Sequence, residues 1–183
     1  MQTTIRVVRH SHLDSGTIEG LRSLFDAEYY ETFGVWDPDH PYGYSPADVH
    51  VLAFDGLGLL GHVGFQTRLI GVGPIGILVG GTGGVLVAPP ARGTGLGTLL
   101  MRRTRVAMET AGADFGYLGC REEIAPFYES CGWRRIRAQE RCFSRLDGTT
   151  IIESVDSPIL ICSAGKTTAS WPAGPIDLRG TPW

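Results

Sequence analysis

A chain of 183 residues with 43% hydrophobic composition is long enough for one domain with a sizeable core, one that removes roughly 70% of the unfolded surface from water. Its 16 basic and 19 acidic residues leave a formal charge of −3 with the signs interspersed, so there is no electrostatic footprint for nucleic acid or anionic lipid. No apolar run reaches the ~18 residues of a bilayer span, no charged-then-apolar start marks a secretory leader, and Cys120, Cys131, Cys142 and Cys162 are too widely spaced for a C-x-x-C metal or redox pair. The expectation is a cytoplasmic protein with reduced cysteines.

In chain order, "TTIRVVR" (Thr3 to Arg9) alternates like a strand. The H-x-H of His10 and His12 follows without a third ligand nearby, which favours solvated surface histidines over a metal site. A helix is predicted next, capped by Asp14 or Ser15, with Ile18, Leu21, Phe25 and Tyr29 on one face. "GVWDPDHPYGYSPAD" (Gly34 to Asp48) mixes proline, glycine, aromatics and acids, the composition of an ordered surface loop that carries substrate contacts. From Val49 the pattern is of strands: "VHVLAF", a "DGLG" hairpin turn, "LLGHVGFQTRLIGV" and "IGILVGGTGGVLVAP". Leu96, Leu99, Leu100, Val106 and Ala107 then follow a helical repeat closed by Gly112. After it come a strand "DFGYLG", a helix "IAPFYESCG", strands "WRRIRAQERCFSR" and "SPILICS", and a coil over the last twenty residues. The whole reads as an α/β fold: one domain over residues 1–183, a mixed, mostly antiparallel sheet of about seven strands flanked by helices.

Three glycine strings invite a phosphate-site reading, and context separates them. "GLGLLG" (Gly56 to Gly61) spells G-x-G-x-x-G but leads into a strand, whereas a dinucleotide site needs a helix N-terminus there. "AGKTT" (Ala164 to Thr168) ends like a phosphate loop, yet the position five before Gly165 is Leu160 rather than glycine. "PPARGTGLGTLL" (Pro89 to Leu100) has the right surroundings: an apolar strand leads in, prolines break it, and an amphipathic helix leads out. Closely spaced glycines let several N–H groups face one anion, and the helix dipole adds roughly half a positive charge. The plainer alternative is a glycine-rich helix cap with nothing bound.

"VLVAPPARGTGLGTLL" resembles the central motif of the GCN5-related N-acetyltransferases, V-x-P-x-x-R-G-x-G-x-G-x-x-L-L, and "APFYESCGW" (Ala125 to Trp133) is similar to their second motif, one residue short. The resemblance implies the acetyl-CoA N-acyltransferase fold, acetyl-CoA as cosubstrate and no metal. It assigns the donor to Val85, Val87, Arg92, Gly93, Thr94, Gly95, Leu96, Gly97 and Thr98. The glycine loop would hold the pyrophosphate, and strand N–H groups from Val85 to Val87 would hold the pantetheine and face the thioester carbonyl. Acyl transfer also needs a proton for the departing thiolate. Tyr128 matches the family's tyrosine beside the sulfur and is the candidate general acid; its bland reading is a core aromatic. A general base is missing: Ile75 to Ala88 holds no carboxylate, and Gly83 stands where many relatives carry glutamate. Deprotonation then falls to a water held by backbone carbonyls, to a carboxylate from elsewhere, or to an amine that arrives neutral.

Within that superfamily the chain looks most like the aminoglycoside 2′-N-acetyltransferases, on "GHVGFQTRLIGVG", "FYESCGW" and a tryptophan after "RGTP". That likeness implies direct attack by the 2′-amine of an aminoglycoside, of the kasugamycin type, in a ternary complex, which inactivates the antibiotic. Asp37, Asp39, Asp156 and Trp183 would bind the sugar, with the tail over residues 164–183 contributing to the acceptor site. Spaced carboxylates suit an ammonium-rich ligand because each charge-assisted hydrogen bond fixes one amine. The implied partners are a small-molecule aminoglycoside, coenzyme A and, in a homodimer, a second copy, with no nucleic acid or membrane. "SWPAGPIDLRG" (Ser170 to Gly180) instead resembles the C-terminus of the nodulation N-acyltransferases, which acylate a chitooligosaccharide amine. Those lack "FYESCGW", which ranks them second. A non-catalytic acyl-CoA-binding module, in which the lost glutamate marks lost chemistry, is the third reading.

Overall fold

In a computed structural model that describes residues 3–155 and 157–183, the chain opens with β1 (Thr4–Arg9), followed by α1 (Ser15–Phe33). The Asp14 carboxylate caps α1 by accepting from the Thr17 N–H at 2.7 Å, satisfying a donor that has no partner within the helix. Three strands follow: β2 (Val49–Phe54), β3 (Leu59–Val72) and β4 (Ile75–Val87). The β2–β3 turn is the hairpin predicted at Asp55-Gly56, with the Asp55 carboxylate accepting from the N–H groups of Leu57 and Gly58. "GLGLLG" is therefore a turn. Then come α2 (Leu96–Thr110), β5 (Phe115–Gly119), α3 (Ala125–Ser130), β6 (Arg134–Ile136), β7 (Glu140–Phe143), β8 (Ile151–Ser154), β9 (Ile159–Ser163) and β10 (Ile176–Asp177).

The ten strands form one sheet in the order β6-β9-β5-β4-β3-β10-β7-β8, with β1 and β2 branching from β3. Pairing is antiparallel except for β4 with β5 and β7 with β10. The class is as expected, and the extra strands have identifiable origins. "WRRIRAQERCFSR" divides because Arg134–Ile136 joins β9 at one end of the sheet while Glu140–Phe143 joins β8 and β10 near the other. The expected terminal coil contributes β10, which slots between β7 and the last residues of β3. Backbone N–H and C=O groups of two neighbours are thereby satisfied, which composition alone does not announce.

Alternate residues of β2 face opposite sides of the sheet. Leu52 packs with Leu21, Leu24 and Phe25 of α1, while Val51 and Ala53 pack with Leu96, Leu100, Met101 and Met108 of α2. Leu99 and Val106, placed on the apolar face of α2 by its repeat, are 37% and 54% exposed. The buried stripe is Leu96, Leu100, Met101, Thr104 and Met108, its hydroxyl satisfied by a bond from Thr104 Oγ1 to the Leu100 carbonyl. "AGKTT" lies against the β5 entry, with Gly165 and Lys166 N–H groups bonded to Ala113 and Asp114 carbonyls and the Lys166 amine on the Asp114 carboxylate at 3.1 Å. That lysine is engaged in a turn and is no phosphate ligand.

Candidate active site

Parallel strands β4 and β5 pair only between Val79–Gly81 and Phe115–Tyr117. Beyond Gly81, β4 stays with β3 and β5 stays with β9, so the sheet opens as a V. A cavity of about 760 Å³ occupies the opening, lined by β4 from Gly81 to Val85, by Gly119 and Cys120, by Tyr128 of α3, and by the inner faces of α1, residues 34–47 and Trp183. Within the cavity wall the β3–β4 register breaks between His62 and Gly64, leaving Gly84 and Val85 without a ladder partner. Gly84 takes φ +59°, a conformation that L side chains avoid.

The glycine loop lies between β4 and α2. Pro89 to Ala91 form a tight turn, Gly95 caps α2 with φ +85°, and the first-turn N–H groups of α2 point outward without helical partners. A Cβ at Gly93 or Gly95 would meet nothing within 4 Å, so the loop presents open backbone, as a pyrophosphate cradle requires. Val87, Thr94, Leu96, Gly97 and Thr98 surround it: Thr94 Oγ1 donates to the Ala91 carbonyl at 2.7 Å, Leu96 is buried, and Gly97 lies against Phe127, where a Cβ would approach the ring to 3.2 Å. Arg92 bends back, bonding the Val87 carbonyl at 2.9 Å and the Glu28 carboxylate at 2.6 Å. Here the guanidinium fastens the loop to β4 and α1.

Tyr128 lies at the inner end, 8% exposed, with Phe127 and Trp133 edge-on. It both packs in the core and lines the cavity. Burial pushes its hydroxyl pKa up, with Cys120, Tyr29 and Cys131 adding to the effect. The phenol keeps its proton at neutral pH, the state a general acid needs.

The acceptor side departs from the sequence reading. Trp183 lines the cavity and is 9% exposed. Its indole N–H donates to Gln66 Oε1 at 3.2 Å, and the Arg68 guanidinium lies 4.1 Å over its ring. Arg68 also donates to Ser45 Oγ and to the Leu178 and Thr181 carbonyls, tying the tail to β3. The ring occupies the space beside Gly81, and a Cβ at Gly83 would stand 2.7 Å from the Trp183 carbonyl carbon. A glutamate side chain at position 83 would collide with the docked tail. Asp37 and Asp39 lie outside the cavity: the Asp37 carboxylate accepts from the Asp39 N–H, and Asp39 faces His10. Their loop instead turns Trp36, Tyr42 and Tyr44 inward, since burying unpaired carboxylates is costly and burying rings is not. Asp156 lies outside the described residues. Glu28 carries the only side-chain carboxylate among the described lining residues, and it is paired with Arg92.

In place of acids the wall holds histidines, which the sequence reading passed over. His62 Nδ1 meets the Gly84 carbonyl at 2.6 Å, His62 Nε2 meets His50 Nδ1 at 2.9 Å, His50 Nε2 meets His10 Nδ1 at 3.1 Å, and His10 Nε2 meets Asp39 at 3.1 Å. A carbonyl only accepts, so His62 Nδ1 carries the hydrogen, His62 Nε2 accepts from His50 Nδ1, and His50 Nε2 accepts from His10 Nδ1. Burial lowers His62 to about 4; burial and the neighbouring imidazoles lower His50 to about 3. Both are neutral at pH 7. The rings bond in series rather than converge on a point, and no group among the described residues is arranged to hold a metal ion. The signal was present: two histidines inside apolar strands of one D-G hairpin, in a register that places His62 opposite Leu52 and hence on the face of His50.

The comparisons agree with this architecture. The solved N-acetyltransferase YhbS of Escherichia coli, in complex with CoA, superposes with a TM-score of 0.63 at 16% identity, covering 96% of this chain and 89% of that one. An acyl-CoA N-acyltransferase of Pseudomonas aeruginosa gives 0.58 at 20% identity, covering 87% and 97%. These likenesses establish the N-acyltransferase fold. Nodulation protein A of Bradyrhizobium elkanii is 25% identical over 171 residues, 89% of this chain and 78% of its own length. A profile of the family described as nodulation protein A (NodA) matches residues 2–182, nearly the whole chain, so the chain belongs to the nodulation protein A family.

Proposed function

We propose that the protein transfers an acyl group from a coenzyme A thioester to the amine of an amino-sugar oligosaccharide. The observation that carries this reading is the acceptor wall. Trp36, Tyr42, Tyr44 and Trp183 line it, with neutral His50 and His62, the cations Arg121 and Arg145, and one neutralised carboxylate. Flat rings suit the apolar faces of sugar rings, and the one side-chain carboxylate of the wall is already paired, which leaves a polycationic aminoglycoside no row of acidic side chains to engage. Membership of the nodulation protein A family supports the same order, placing the amino-sugar acceptor ahead of kasugamycin and related antibiotics.

The donor lies with its pyrophosphate on Gly93 to Thr98 and its pantetheine along Val85 to Val87. The Val85 N–H meets the thioester oxygen as charge develops there. The acceptor enters between the aromatic loop and the tail over residues 164–183, which belongs to the single 1–183 domain. The amine attacks the thioester carbon, the C–N bond forms, the C–S bond breaks, and Tyr128 protonates the departing thiolate. A glycine loop, a protonated phenol and a sheet gap in one chain favour a catalytic site over a mere coenzyme A-binding module.

Coenzyme A release, measured with acetyl and long-chain donors against a chitooligosaccharide carrying one free amine and against kasugamycin and tobramycin, tests the reading. Turnover with the first acceptor alone is expected. Turnover with the antibiotics alone restores the aminoglycoside assignment. Tyr128→Phe is expected to lower kcat by about 100-fold, within the usual range for a lost general acid; unchanged turnover at every pH removes Tyr128 from that role.

A further inference from the structure

The Gly84–Val85 peptide falls in the β3–β4 register break, where neither residue has a partner in the ladder. An imidazole grips it there. His62 Nδ1 donates to the Gly84 carbonyl at 2.6 Å. The ring is 3% exposed and wedged between two glycines: a Cβ at Gly64 or Gly84 would approach its Cε1 to 3.2 and 3.1 Å. Phe25 of α1 packs edge-on, with centroids 5.3 Å apart. The ring cannot rotate without losing its bond from His50, which is itself held by His10 and, through it, Asp39. Among the described residues, the peptide bonds are trans, so fixing the Gly84 carbonyl toward His62 fixes the Val85 N–H in the opposite direction.

We propose that His62 is a positioning residue for acyl transfer: by clamping the Gly84 carbonyl it aims the Val85 N–H at the thioester oxygen. This rests on the donor placement proposed above. His62 is not the missing base, since Nδ1 donates to Gly84 and Nε2 accepts from His50, leaving no lone pair for a substrate proton. In the step itself the C–N bond forms and the thioester oxygen gains charge against the Val85 N–H. The C–S bond then breaks, Tyr128 supplies the thiolate's proton, and the attacking nitrogen releases its own to solvent. His62 exchanges none.

The test compares His62→Asn, whose side-chain amide keeps an N–H near the Nδ1 position, with His62→Leu, which has no donor. Two probes are titrated: coenzyme A, and acetyl-carba(dethia)-coenzyme A, a ketone with methylene in place of the thioester sulfur. Wild type and His62→Asn should bind the ketone more tightly than coenzyme A. His62→Leu should keep its affinity for coenzyme A, which also shows that it is folded, and lose about tenfold on the ketone. In turnover, His62→Leu should lose about 100-fold in kcat with donor KM nearly unchanged, the cost of misplacing one oxyanion donor. His62→Asn should recover most of it, with the acid limb of the pH profile intact in both variants. Undiminished ketone preference in His62→Leu overturns the proposal, as does loss of the acid limb, which would mark a base. Should His62→Leu fail to fold, ¹⁵N spectra of the wild type decide: hydrogen on Nδ1 upholds the clamp and hydrogen on Nε2 overturns it. Failure of the wild type to bind coenzyme A at all strikes instead at the donor placement itself.

Discussion

The proposed donor site is drawn from one uninterrupted stretch, Val85 to Thr98, of which Val85 lines the cavity, while the proposed acceptor wall gathers α1, the aromatic loop, histidines of two strands and Trp183. The difference is physical. A pyrophosphate is recognised by backbone N–H groups at one helix N-terminus, so its site is local by construction. A sugar is recognised by faces and edges of side chains that must converge from several directions, so its site exists only after folding. Local sites leave a spaced motif; convergent ones leave residues whose purpose is not evident from their neighbours.

The acceptor half should also be the acid-sensitive one, and this is the largest effect expected. His50 and His62 titrate near 6.5 when unfolded but near 3 and 4 when folded. Their neutral burial stabilises the fold above pH 6.5. As pH falls below that value the unfolded state takes up protons the folded state refuses, and several kcal/mol are lost progressively toward pH 4. Denaturant titrations between pH 7 and 4.5 check this. A flat profile in that window would mean that the histidines are hydrated.

Trp183→Ala comes next. Removing an indole that is 9% exposed, stacked beside Gly81 and under Arg68, should cost about 3 kcal/mol of stability. It should also raise the acceptor KM while leaving coenzyme A affinity in place. Equal losses on both substrates would show that the two halves are not separable. The reciprocal change is Gly95→Val. A branched side chain at φ +85° is strained by about 1–2 kcal/mol, so donor affinity should fall roughly tenfold with the acceptor KM unchanged. The smallest effect belongs to Asp37→Asn, since that side chain lies outside the cavity and its amide oxygen can still accept from the Asp39 N–H. Its acceptor KM should match the wild type. A clear rise would return the acidic loop to the acceptor site.

Much of the chain was legible before folding. Hydrophobic alternation placed the long strands, Asp55-Gly56 placed the hairpin, and the glycine loop could be told from "GLGLLG" and "AGKTT" by what precedes and follows each. Short strands β8 and β10 were not legible. Their pairing depends on an edge supplied by residues far away, and two to four residues carry too little periodicity to announce it. The acids of the aromatic loop misled for a related reason: composition shows that Asp37 and Asp39 share a loop with Trp36 and Tyr42, and only packing decides which set faces inward.

Sequence by itself determined the elements whose signals are local: a strand, a glycine turn, a dipole at a helix start. Tertiary structure decided the rest. It seated Trp183 against Gly81 and Gly83, where any larger side chain would collide with it. It also strung three histidines into a line ending on the Gly84 carbonyl. Both depend on distances between residues remote in the chain, which are fixed only when the sheet closes around them.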